Sequence, residues 1–144
     1  MMKFIAIISI LIIFIGCTNS PPSYKEIEIK YKPADEKEQE LVDSFAHYWH
    51  LRVKGDMKGA FSYELPYQKY VDGWTGYEEK VKPLNKNLKI ELKDINFTSP
   101  NVGIVTKIVK VKNRRLLQKD RWIYMDDRWY HKYHQNILPF YDEK

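Results

Sequence analysis

The sequence predicts an α+β domain in which N-terminal helices pack on a curved antiparallel sheet. Three observations predict it. Between residues 34 and 82 the apolar residues recur at helical spacing, and from Leu88 onward the period falls to two. Helices come first and strands after, an order that fits segregated layers and not alternating βαβ units. The chain is also rich in large side chains, with four Trp and eleven Tyr among 144 residues, all of them after residue 16.

The first sixteen residues read as a processing segment and not as part of the fold. Lys3 supplies a positive start, and Phe4 to Ile15 is apolar except for Ser9. That run is shorter than the roughly 20 residues that span a bilayer. Phe14-Ile15-Gly16-Cys17 follows directly and resembles the lipobox of bacterial lipoproteins. Gly16 is the small residue that signal cleavage before Cys17 requires, while Phe14 stands where the motif usually carries leucine. The resemblance implies lipid on Cys17: a diacylglyceryl group on the sulfur and an acyl chain on the new amino terminus. Cys17 is the only cysteine, so no internal disulfide is available. A single acyl chain holds a protein to a bilayer only marginally, whereas several anchor it stably. Thr18, in place of aspartate, points to the outer membrane facing the periplasm if the cell has two membranes. The expected location is the cell envelope.

Cleavage leaves 128 of the 144 residues, enough for one domain. The net charge of +5 becomes +4 once Lys3 departs, a mild bias toward anionic surfaces. Nucleic acid is not an expected partner in that compartment.

Residues 17–33 form the lipidated tether. Its start, Thr18 to Tyr24, is polar and proline-rich. Lys25 to Lys32 alternates, with Ile27, Ile29 and Tyr31 on one side, which predicts a short edge strand. The single α+β domain occupies residues 34–144. A helix capped by Asp35 runs to about Lys54, with Leu41, Val42, Phe45, Trp49 and Val53 on its apolar face, and Gly55 stops it. Asp56 caps a shorter helix through Leu65, ended by Pro66, and a third helical piece covers Asp72 to Lys82 before Pro83. Strands follow. Leu88 to Phe97 slips by one residue at Lys93-Asp94, as a β-bulge would make it do. Ser99-Pro100-Asn101 turns the chain into Val102 to Lys112, and a turn near Asn113-Arg114 leads on. Leu116 to Met125 and Arg128 to Tyr133 form a hairpin around Asp126-Asp127.

Two stretches carry a family resemblance. Tyr48-Trp49-His50-Leu51-Arg52-Val53-Lys54-Gly55-Asp56 followed by Ala60-Phe61-Ser62-Tyr63 looks like a long helix that ends in Gly-Asp before an alanine-aromatic second helix. Trp122 to Tyr130 looks like a last hairpin with a short acidic turn before Trp-Tyr. In this order, across roughly residues 34–133, they resemble the nuclear transport factor 2-like superfamily, the cone-shaped fold of SnoaL-like proteins and ketosteroid isomerases. The resemblance implies a fold and leaves function open, because that fold serves enzymes, binders and assembly modules. Its members often pair through the open sheet face, so a dimer is left open too.

The candidate pocket is read from charges that point inward. Arg52 falls inside the apolar arc of the first helix, and Glu64 falls on the buried face of the second. Each needs a partner in the interior, and an ion pair between the two is expected. Tyr63, Tyr67, Tyr70, Trp74 and Tyr77 surround Pro66, a cluster that fills core and covers loops or, in the functional reading, lines the mouth of a cone. His131 shares a strand face with Trp129 and Tyr133, and His134 points the other way. Asp43, His47 and His50 share a helix face opposite the apolar one, which reads as a solvated face; no metal is expected. Lys107, Lys110, Lys112, Arg114 and Arg115 crowd one hairpin as a candidate basic patch.

No nucleophile elbow, zinc signature, phosphate loop or paired-carboxylate spacing is present, and no catalytic residue or cofactor is assigned. The expected function is a non-catalytic lipoprotein domain that binds a protein partner or small ligand at the envelope. The alternatives are an isomerase-type enzyme using Arg52, Glu64 and His131, and a subunit of an envelope assembly.

Overall fold

A computed structural model describes residues 23–133, so Gly16, Cys17 and His134 lie outside the described residues. Helices pack against a curled sheet of five strands, in the order β1 (Ile27–Ile29), β2 (Lys89–Ser99), β3 (Val102–Val111), β4 (Arg114–Met125) and β5 (Arg128–Lys132). The helices are α1 (Glu36–Lys54), α2 (Met57–Phe61) and α3 (Pro66–Lys80).

The sheet is mixed, not wholly antiparallel. β1 is the edge strand that alternation predicts, but it runs parallel to β2, with Ile27 opposite Ile90 and Ile29 opposite Leu92. The physical reason is the connection. Three helices separate β1 from β2, and a long helical crossover returns a chain in the same direction, which a tight turn cannot do. The other pairings are antiparallel. The register of β2 shifts between Leu92 and Asp94, the bulge that the sequence predicts at Lys93.

Both ends of α1 are held as expected. The Asp35 side chain accepts from the Glu38 N–H at 2.8 Å, and Gly55 takes the left-handed conformation at φ 81°. Glu36 and Glu38 in the first turn and Arg52 and Lys54 in the last turn complement the helix dipole. Pro66 departs from expectation. It opens α3 instead of ending α2, because proline suits the first helical turn, where its missing N–H has no partner to lose. α2 is correspondingly short, and Gly73, at φ 63°, breaks α3 in two. The second half of α3 is the helical piece expected from Asp72.

α1 lies in the concave face of the sheet. Leu41, Val42, Phe45, Trp49 and Val53 meet Ile90, Leu92, Ile95, Val105, Val109, Trp122 and Trp129 in one core. Gly103 leaves room for the Leu41 side chain: a Cβ there would stand 2.8 Å from the Leu41 Cδ2. The far edge of the sheet is closed by the segment after α2. Glu64 forms a parallel bridge with His131, through His131 N–H to the Tyr63 carbonyl at 2.7 Å and Leu65 N–H to the His131 carbonyl at 3.0 Å. That short bridge carries a glutamate into the core.

Candidate functional site

The interior of the curled sheet is not purely apolar. A chain of polar side chains crosses it from α1 to β3. Arg52 Nη1 donates to the Tyr48 hydroxyl at 3.0 Å, and that hydroxyl donates to Glu64 Oε1 at 2.8 Å. Tyr77 of α3 donates to the same oxygen at 3.3 Å. The other oxygen, Glu64 Oε2, accepts from His131 Nδ1 at 2.9 Å. His131 Nε2 stands 4.0 Å from Asp120 Oδ1, an ion-pair contact beyond hydrogen-bond length. Asp120 in turn accepts from Trp49 Nε1 at 2.9 Å and pairs with Lys107.

Local structure explains each position. α1 sends Tyr48, Trp49 and Arg52 inward from successive points of one turn. On β3 the even pleat places Val105, Lys107 and Val109 on the concave side, and on β4 Asp120 shares that side with Trp122. Glu64 is fully enclosed, and Lys107, Asp120, His131 and Arg52 are all buried. Two carboxylates, Glu64 and Asp120, lie among three cations: His131 and Lys107 meet them directly, and Arg52 reaches Glu64 through the Tyr48 hydroxyl.

Burial alone would lower the His131 pKa, but the Glu64 and Asp120 carboxylates on either side raise it to about 9. The ring is therefore an imidazolium at neutral pH. Burial would raise Asp120, yet His131 and Lys107 hold it below the usual carboxylate range. Lys107 moves down through burial, with Asp120 opposing. Tyr48 is pushed well above the ordinary phenol value, first by burial and then by Glu64. Flat rings enclose the group: Tyr48 stacks on His131 with centroids 4.3 Å apart, and Trp122 meets its edge at 5.2 Å. Lys107 Nζ lies 4.1 Å from the Trp49 ring centre. A histidine held protonated between two carboxylates, away from solvent, ties four parts of the fold together. At neutral pH it has no lone pair to act as a base.

Glu64 and His131, from the candidate pocket, therefore come together. Arg52 does not pair directly with Glu64, contrary to expectation; the Tyr48 hydroxyl stands between them. Helical angle places both charges inward but carries no information on the Tyr48 ring that fills the gap. Tyr63 flanks the group, its hydroxyl 2.6 Å from His47 Nδ1. Tyr67 is elsewhere, 60 % exposed on α3, and Tyr70 is more exposed still. Trp74 packs on Phe61 and Tyr77 at centroid distances of 5.4 and 5.8 Å. The aromatic residues around Pro66 thus split between a small core and the surface, and do not line a mouth.

The outer face of α1 is also not simply solvated. Tyr24 stacks on His50 at 4.1 Å, Glu26 pairs with His50, and Gln39 donates to Asp43 at 2.9 Å. The N-terminal segment folds back over this face. Among the described residues no group of three or more metal-binding side chains converges.

The basic patch loses a member. Lys107 points inward to Asp120, because its place in the pleat is set by Val105 and Val109. Lys110 faces outward and meets Glu91 at 2.5 Å and Glu28 at 3.3 Å. Lys112, Arg114 and Arg115 are exposed. Tyr48, Asp120 and Tyr77 were not singled out as members of the buried group. The alternation around Trp122 carried the signal for Asp120, and the helical arc that holds Trp49 and Arg52 carried it for Tyr48.

One concavity does open to solvent. A groove of about 330 Å³ runs between β1 and α1. Ile27, Ile29 and Tyr31 form one wall, Val42 and Ala46 the other, and Gln39 and Asp43 supply polar groups. Tyr24 and Ser23, where the described chain begins, lie at its end. Compared with protein-family models, curated proteins and solved structures, the chain matches none of them.

Proposed function

We propose that this chain is a bacterial lipoprotein, held to an envelope membrane by lipid on Cys17, whose folded domain is a non-catalytic binding module of the nuclear transport factor 2-like type. The curled sheet with helices packed against it supports that fold reading. The groove between β1 and α1 carries the binding reading. It is mainly apolar, opens to solvent, and bears a few polar groups, as pockets for small ligands or peptide side chains do. The inward polar group, by contrast, is buried, and most of its hydrogen bonds run between its own members.

The experiment has two arms. Cys17→Ala moves the protein from the membrane fraction to a soluble or unprocessed form; unchanged fractionation overturns the anchor. A photocrosslinking residue at Ile29, on the groove wall, gives a discrete adduct in intact membranes, while the same residue at Tyr67 on α3 does not. Equal labelling at both positions overturns the groove as the binding site.

A second reading has one observation in its favour: His131 lies between Glu64 and Asp120, an arrangement that acid-base enzymes also use. It requires an opening to this group. Turnover of a small ketone or enol substrate that Glu64→Gln abolishes would establish it over the binding reading.

A further inference from the structure

Beside its turn the β3–β4 hairpin carries an arrangement that folding alone does not favour. Register sets Lys89 opposite Lys110, and Lys110 opposite Arg115. Directly paired residues share a sheet face, and Ile90 and Val109 point inward, so these three cations form one row on the convex face. Like charges placed directly opposite destabilise a sheet. Glu91 and Glu28 meet Lys110, but among the described residues no carboxylate forms an ion pair with Lys89, Arg115, Lys112 or Arg114.

The tip adds apolar surface. Leu116 and Leu117 are 50 % and 63 % exposed and project from opposite faces of β4. Arg114 to Lys119 are all exposed, and β5 pairs with β4 no nearer the turn than Arg121. Two exposed leucines set among cations make a short amphipathic element. Its location is the second observation: Ser23 and Tyr24 line one cavity together with Lys89 and Lys110. The described chain thus begins at the same end of the domain as the cationic row.

We propose that this end is a docking surface for an anionic lipid bilayer. Lys89, Lys112, Arg114 and Arg115 meet headgroup phosphates, and Leu116 and Leu117 enter the interfacial layer. The choice of a bilayer over an acidic protein rests on the reading of Cys17 as a lipid anchor. The six peptide steps from Cys17 to Ser23 reach at most about 20 Å, which brings this end to the membrane surface.

The test places a fluorescent amino acid of polarity-sensitive emission at position 117 of the full chain. It is mixed with phosphatidylcholine vesicles, with or without phosphatidylglycerol. Emission shifts to the blue only on the anionic vesicles, and the shift is lost in about 1 M salt. Each cation contributes about a fivefold gain near an anionic surface. Lys112→Glu with Arg115→Glu therefore lowers the ratio of docked to undocked anchored chain by at least about 30-fold, which removes the shift on anionic vesicles. Emission that stays at its value in buffer overturns the proposal; if the chain still sediments with both vesicle types, the anchor stands and only the docking surface falls. An equal shift on both vesicle types overturns it too, as does a shift produced by polyglutamate but not by anionic vesicles.

Discussion

Glu64 and His131 are joined twice: their backbones form a parallel bridge, and their side chains meet at 2.9 Å. The segment after α2 and the last described strand are thereby fastened at one point by both main chain and charge. Removing either side chain takes the nearest opposite charge from the other, leaving His131 with Asp120 alone or Glu64 with the Tyr48 and Tyr77 hydroxyls. Glu64→Ala and His131→Ala are each expected to cost about 3–5 kcal/mol. Urea unfolding measures this, and a loss below about 1 kcal/mol would show that the pair carries little.

Tyr48 mediates between Arg52 and Glu64, so the coupling of those two charges runs through its hydroxyl. In a double-mutant cycle Arg52→Ala and Glu64→Ala are expected to couple by about 0.5–3 kcal/mol. Repeated in a Tyr48→Phe background, the cycle becomes additive. Coupling that survives there points to a direct interaction.

The His131 pKa of about 9 is above its unfolded value of about 6.5. The imidazolium therefore favours the folded state: its contribution is complete below pH 6.5 and is lost as pH rises through 9. The shift corresponds to about 3 kcal/mol. Glu64 and Asp120 are the acids that face it, and Lys107 is the cation behind Asp120. The urea midpoint is expected to fall between pH 6.5 and 9, and His131→Gln flattens that fall. A midpoint that rises over the interval contradicts a protonated His131.

Gly103 allows α1 to approach β3. Gly103→Ala puts a methyl group 2.8 Å from the Leu41 Cδ2, in a core where Leu41 is fully buried. The expected loss is about 1–3 kcal/mol by thermal unfolding, and Leu41→Val in the same chain restores part of it.

The β4–β5 turn holds Asp126 and Asp127 at φ 50° and 57°. Aspartate tolerates this region better than branched residues do. Asp127→Val is expected to lower stability by about 1–2 kcal/mol, while Asp127→Gly is tolerated. Equal melting temperatures for the two variants would show that the turn is unstrained.

Much of this architecture was legible in the residues. The Asp35 and Gly55 caps, the slip at Lys93 and the Asp126-Asp127 turn are local signals, and the local chemistry decides them. The parallel partner of β1 was not legible, because pairing Ile27 with Ile90 depends on how three helices return the chain. At the site, inward Arg52 and Glu64 followed from helical angle. Their separation by Tyr48 did not, since angle says nothing of the distance between helices. Lys107 was grouped with Lys110 because the two are close in sequence, yet pleat parity sends them to opposite faces.

The pairings at the two edges of the sheet also bear on the order of events during folding. Ile27 must wait for Ile90, and Glu64 for His131, each more than sixty residues further along. The β1 edge can close once Ile90 to Leu92 have been made, whereas the Glu64 edge waits for His131, and such distant pairings slow folding. The half-barrel is thus sealed late, by its last described strand. An emerging chain can complete its helices early, but the buried charges settle only once β5 has arrived.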